Sequence, residues 1–151
     1  MKVLFVYAES EQGGFKPMGI SLLSSILLKE GHDRLLFDTS IYDINIKGRV
    51  HEILTSEAQL VYPHVNMPDA AIKRISKDFA LSFNETIENY KPDLVAFSTT
   101  SLMYVLVETL VRELKSKKRP KLAIGGIHAL SYTDDLVSSG MFDYICYGEG
   151  E

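Results

Sequence analysis

Short apolar runs alternate with stretches of helical periodicity along nearly the whole chain. Val3 to Tyr7 is apolar without interruption, which predicts a central strand buried on both faces. Ile20, Leu23, Ile26 and Leu27 then recur at helical spacing, with Pro17 suited to a first turn and Gly31 to the helix end. Arg34 to Phe37 predicts a second strand. Ile72, Ile75, Phe79, Phe83 and Ile87 mark one face of a long helix that stops before Pro92. Leu94 to Phe97 predicts a third strand, followed by a helix carrying Met103, Val107, Leu110, Val111 and Leu114. Leu122 to Ile124 and Tyr144 to Cys146 complete the strands, with a short helix over Thr133 to Ser138 between them.

Strands that alternate with helices in this order predict an α/β fold, a doubly wound, five-stranded parallel sheet of the flavodoxin-like (Rossmann-like) kind, order 2-1-3-4-5. The segment from Ile41 to Met67 fits no clean period. It reads as an insertion after the second strand, with room for a short helix around His51 to Ala58, and both a functional segment and a peripheral cover over the sheet edge stay open.

Composition narrows the picture. The chain has 151 residues, 46% hydrophobic and 24% charged, with net charge -4, which predicts one globular domain. The only basic cluster, KSKKRPK from Lys115 to Lys121, reads as a solvated helix end, so nucleic acid is not an expected partner. A single cysteine, Cys146, supplies neither a disulfide nor a CxxC metal site. The opening MKVLFVY is cut short by Glu9, too brief for a signal peptide or a membrane span, and a cytoplasmic location is expected.

In such a sheet, ligands bind at the carboxyl ends of the strands. The first exit is AESEQGGFKPMG, Ala8 to Gly19, longer than a plain connection requires. The third opens into Ser98, Thr99, Thr100 and Ser101, the fourth into Gly125, Gly126, Ile127 and His128, and the fifth into Tyr147, Gly148, Glu149, Gly150 and Glu151. Taken singly, each has a structural reading: the hydroxyls as helix N-caps, the glycine pair as a tight turn, Lys16 as a solvated loop residue. Together at one edge they make room for a large ligand against the backbone. Neither GxxxxGK[ST] nor GxGxxG is present.

These residues resemble cobalamin-binding domains of the methionine synthase and mutase type, which carry D-x-H-x-x-G after the first strand, S-x-L after the third and GG after the fourth. Here Gly14 stands for the aspartate, Lys16 for the histidine and Gly19 for the final glycine. Ser98 keeps the serine, Thr100 replaces the leucine, and Gly125-Gly126 matches. That pattern of losses is similar to the amino-terminal domain of cobalamin-dependent radical S-adenosylmethionine enzymes, which generally lack the cobalt-ligating histidine. Four stretches carry this resemblance: PMGISLLSSILLKEGHD (Pro17 to Asp33), KPDLVAFS (Lys91 to Ser98), AIGGIHA (Ala123 to Ala129) and DYICYGEGE (Asp143 to Glu151). The anaerobic magnesium-protoporphyrin IX monomethyl ester cyclase branch is similar in the same motifs.

The resemblance implies cobalamin held base-off, its nucleotide tail beside Ser98, Thr99, Thr100, Gly125 and Gly126. The corrin would lie over the first loop (Gly13, Gly14, Phe15, Lys16, Pro17, Met18, with Gly19 behind) and over the exits at His128, Tyr147, Gly148 and Glu149. It implies no protein ligand to cobalt: His128 is a polar contact to the corrin side chains, His32 a structural cap, and His51 and His64 are unpaired at metal-ligand spacing. It further implies a downstream radical domain, outside this chain, that holds a 4Fe-4S cluster and S-adenosylmethionine and acts on an unidentified small-molecule substrate, by methyl transfer or by cyclisation or oxidation of a tetrapyrrole or similar compound. No catalytic constellation stands within the 151 residues.

Two other readings stay open: a flavin- or nucleotide-binding flavodoxin-like module, and a docking scaffold of the same fold that binds nothing by itself. A phosphoacceptor receiver domain shares the sheet order, but it requires an aspartate where the third strand ends in Ser98 and a lysine where the fifth is followed by Tyr147-Gly148.

Overall fold

The computed structural model describes residues 1–9, 17–44, 75–116, 118–148 and 150. The elements run β1 (Lys2–Tyr7), α1 (Met18–Lys29), β2 (Asp33–Asp38), α2 (Phe79–Tyr90), β3 (Leu94–Ser98), α3 (Tyr104–Arg112), β4 (Lys121–Gly125), α4 (Ile127–Ser131), α5 (Thr133–Ser139) and β5 (Tyr144–Ile145). The five strands form one parallel sheet in the order β2-β1-β3-β4-β5, the flavodoxin-like topology expected from the alternation.

The two faces of the sheet are packed unequally. Leu4, Val6, Val95, Phe97, Leu122 and Ile124 point to one side, where Phe83 and Ile87 of α2, Leu106, Val107 and Leu110 of α3 and Leu136 of α5 close the main core. On the other side, Val3 and Phe5 of β1 meet Ile20 of α1, with Leu23, Leu27, Leu94 and Ala96 partly buried around them. Among the described residues α1 is the helix that packs on that face.

Three of the four sequence stretches owe part of their pattern to strand and helix ends. In GHD, Gly31 adopts φ +73, and the amides of Gly31 and His32 donate to the carbonyls of Leu28 and Leu27 (3.1 and 2.9 Å). This is a Schellman closure of α1, which the positive φ of glycine permits. In KPD, Asp93 accepts from the Lys2 amide at 2.7 Å and thereby sets β1 beside β3. In DYI, Asp143 does the same one strand further along, accepting from the Leu122 amide at 2.8 Å. Asp143 also pairs with Lys121 (2.8 Å) and Arg119 (3.1 Å), so the end of the basic run is committed to the start of β5.

Several boundaries differ from the sequence expectation. Ile75 is not on the helix: it bridges to Tyr42, its amide donating to Ile41 and its carbonyl accepting from Asp43. The helix starts later because Asp78 caps it, its carboxylate accepting from the amides of Ala80 and Leu81 at 2.8 and 3.0 Å. Ile41 lies in a short 3-10 turn, Thr39–Ile41, so the irregular segment begins after it. Residues 45–74, including the His51 to Ala58 helix, His64 and Ile72, lie outside the described residues. Leu114 lies past the end of α3; the helix expected over Thr133 to Ser138 is present as α5, and a further short helix, α4, precedes it.

The Asp143 carboxyl is held down to about 2, chiefly by its hydrogen bond to Lys121 and then by the Leu122 amide. A depressed carboxylate stabilises the fold above its ordinary value, 3.8, and that contribution is lost as pH falls toward about 2. Asp143→Ala removes the acceptor of the Leu122 amide and is expected to cost about 1–2 kcal/mol at neutral pH in urea denaturation. The difference between the variant and the parent should shrink below pH 4.

Candidate functional site

The register brings the exits into one row. Tyr7 pairs with Ser98 and Ser98 with Gly125, and Cys146 follows β5 immediately. Partners in a parallel register share a face, so Ala96 and Ala123, and then Ser98, Gly125 and Cys146, all lie on the α1 side. The result is a slot floored by small side chains. Ala96, Ala123 and Gly125 are only half-buried although they stand on the middle strands, where a parallel sheet is normally covered on both faces. At its outer end the chain after β5 turns back toward α1: a Cβ at Gly150 would lie 3.4 Å from both δ-methyls of Leu23.

The two glycines of the fourth exit do different work. Gly126 has φ +90, and a Cβ there would stand 2.9 Å from the Thr99 carbonyl oxygen and 3.2 Å from its nitrogen. The β4 exit therefore lies directly on the β3 exit, secured by the His128 amide donating to the Thr99 carbonyl at 3.4 Å. Gly125 faces the slot instead, and its Cβ would meet Cys146 Cβ at an ordinary 3.4 Å.

The hydroxyls after β3 do not cap α3. Its N-cap is Met103, with no side-chain cap bond. Thr99 is buried and its hydroxyl donates to the Thr100 carbonyl at 3.0 Å, while Thr100 is exposed. Pro17 occupies the N-cap of α1, its carbonyl accepting from Ser21 at 3.0 Å, with Met18 and Gly19 exposed in the first turn at the same edge of the sheet. Tyr147 and Gly148 are exposed beyond β5. Gly13, Gly14, Phe15, Lys16 and Glu149 lie outside the described residues.

Thr39 is a site residue that the periodicity of the sequence does not reveal. It is fully buried, and its hydroxyl accepts from the Glu9 amide (2.8 Å) and lies 2.6 Å from the Glu9 carbonyl and 3.2 Å from that of Tyr7. One side chain from the end of β2 thus sets the direction in which the first exit leaves β1. The signal available was a hydroxyl directly after a strand that ends in aspartate.

His128 is brought to this edge by its backbone alone. Its imidazole is 7% exposed and is stacked between Tyr104 (centroids 4.0 Å) and Tyr132 (4.9 Å). It lines a cavity of about 450 Å³ between α3 and α5, together with Glu108, Arg112, Asp135 and Leu136. Burial lowers its pKa, with Asp135 opposing, and burial raises that of Tyr104. A second cavity, of about 600 Å³, flanks α1 on the β2 side, between Pro17, Ile20, Ser24, Arg34 and Leu36. Among the described residues no three histidine, cysteine or acidic side chains converge on a metal position, and no helix is long and apolar enough to cross a membrane.

The two glycines predict opposite sensitivities. Gly126→Ala should destabilise the fold by about 2–4 kcal/mol, combining a positive φ with a backbone clash. Gly125→Ala should fall within about 1 kcal/mol of the parent. Urea denaturation of both variants checks the contrast.

Neither the curated proteins nor the solved structures give a match to this chain. The family model described as B12 binding domain matches residues 6–151, from within β1 through all the exits that form the slot. The sheet order, the small-residue slot and that match agree, and the chain belongs to the B12-binding domain family.

Proposed function

We propose that this domain carries cobalamin base-off, with the nucleotide tail in the slot on the α1 face and no protein histidine on the cobalt. The observation that carries this reading is the half-buried floor of Ala96, Ala123 and Gly125 in the middle of a parallel sheet. A slender group laid along it would recover the burial that the strands lack, about 25 cal/mol for each Å² of apolar surface covered. Neither described histidine suits cobalt: His32 follows the closure of α1, and the His128 ring is enclosed by two tyrosines. Lys16 stands where related domains carry the ligating imidazole.

Each exit has a task in this reading. Thr39 orients the first loop, Gly126 locks the third and fourth exits together, Gly125 leaves the depth of the slot free, and Ser98 and Thr100 offer hydroxyls at its mouth. Bound cobalamin supplies a cobalt centre able to accept and donate a methyl group. The first loop from Gly13 to Met18 and the residues Tyr147, Gly148 and Glu149 would be the ones to contact the corrin. The wider setting is a radical S-adenosylmethionine enzyme acting on a tetrapyrrole or similar substrate. Its 4Fe-4S cluster and S-adenosylmethionine belong to a downstream domain, because a single cysteine cannot supply the cluster thiolates.

Titration with hydroxocobalamin, gel filtration and visible absorbance test this function. Retained cobalamin with a base-off spectrum is the expected result, with no retention of flavin mononucleotide under the same conditions. A base-on spectrum would contradict the displaced tail, and absence of retention would contradict the carrier. Gly125→Val, which places two methyls in the slot on a strand that favours valine, should weaken retention at least tenfold while urea denaturation stays close to the parent.

A further inference from the structure

We infer that the Tyr104–His128–Tyr132 stack is a positioning element for the cofactor cradle, holding the fourth exit against the third only while the imidazole is neutral. This inference rests on the carrier reading above. The geometry joins the ring to the exit through very few bonds. His128 is the second residue of α4, a helix of five residues, too short to hold its place without tertiary contacts. Its amide donates to Thr99, the Leu130 amide to the Gly126 carbonyl (3.2 Å), and the Tyr132 amide to the His128 carbonyl (2.9 Å). The ring lies between Tyr104 and Tyr132 at interplanar angles of 22° and 25°, so the stack ties α4 to α3. Whatever moves the ring moves the backbone that packs on Thr99.

Protonation would move it. The Nδ1 atom is buried with no hydrogen-bond partner among the described residues. In the neutral Nε2–H tautomer it is a bare lone pair, but in the imidazolium it is a charged donor sealed away from water. Tyr104, Glu108 and Arg112 face the ring's cavity from α3, and Tyr132, between α4 and α5, and Asp135, in the first turn of α5, face it from the other side. Glu108 is already bonded to Arg112 at 2.7 Å. The tyrosine faces and Asp135 attract a cation, yet burial outweighs Asp135 and His128 stays below its ordinary 6.5. The sign follows: a lowered histidine pKa leaves the neutral arrangement intact above 6.5, and the arrangement is lost as pH falls through the folded value.

Hydroxocobalamin affinity should therefore be level near pH 7.5 and fall, by up to about tenfold per pH unit, once His128 takes a proton. His128→Ala should weaken binding at neutral pH by about tenfold through loss of the stack. His128→Phe, which stacks but cannot be protonated, should recover most of that loss and show no acid-dependent fall of its own. The ratio of the two proteins' affinities cancels any titration of the cofactor itself. In the parent protein, the NMR-measured His128 pKa should drop further when hydroxocobalamin is bound, because linkage is reciprocal. An identical pKa with and without cofactor, or the same acid profile for His128→Phe and the parent, would overturn the positioning role. Absence of retained cobalamin in the parent at pH 7.5 would instead overturn the carrier reading on which it rests.

Discussion

The backbone of Thr99 and the α-carbon of Gly126 lie so close that a single added methyl would sit 2.9 Å from a carbonyl oxygen. That contact sets the carboxyl edge of the sheet. Because the fourth exit lies on the third, the chain can enter α4 at once, and His128 is delivered into the tyrosine stack instead of toward the strand ends. Because Gly126 takes up the close approach, Gly125 can remain in regular strand geometry facing α1. A glycine pair that reads in sequence as one loose turn is thus two separate requirements, one set by backbone packing and one by the space beside it.

The opposite edge is organised by a different pair. Asp93 and Asp143 each stand directly before a strand, and each accepts an amide from the neighbouring one, fixing β3 against β1 and β5 against β4. With the register fixed at the amino ends, the residues at the carboxyl ends must line up, and Ser98, Gly125 and Cys146 fall on one face. The unequal packing of the sheet then has a physical consequence. The face toward α2, α3 and α5 carries most of the large buried side chains, while on the α1 face Ala96, Ala123 and Gly125 are small and only half-buried.

Much of this was legible in the sequence. Uninterrupted apolar runs alternating with helical periods predicted the strands and their parallel order. What was not legible depended on contacts distant in sequence. Ile75 continues the helical period of Phe79 and Phe83, but its hydrogen bonds to Ile41 and Asp43 are made across the fold, and the cap at Asp78 sets the boundary. The hydroxyl run after β3 has the composition of a cap, yet the N-cap of α3 is Met103, beyond that run. Thr39 matters through its bonds to Glu9, which no local pattern announces. His128 matched a motif position, but the stacking of its ring between Tyr104 and Tyr132 joins residues that no local pattern links.

If cobalamin enters the fold at the slot on the α1 face, as proposed, the chain carries its own reporter there. Cys146 is the one cysteine, half-buried, with its Cβ 3.4 Å from the Cβ that Gly125 would carry. The rate of Cys146 alkylation, followed by mass spectrometry as cobalamin is added, tests that placement most directly. Alkylation slowed in proportion to bound cobalamin is the predicted result. Saturable binding that leaves the rate unchanged would place the cofactor elsewhere and contradict the account.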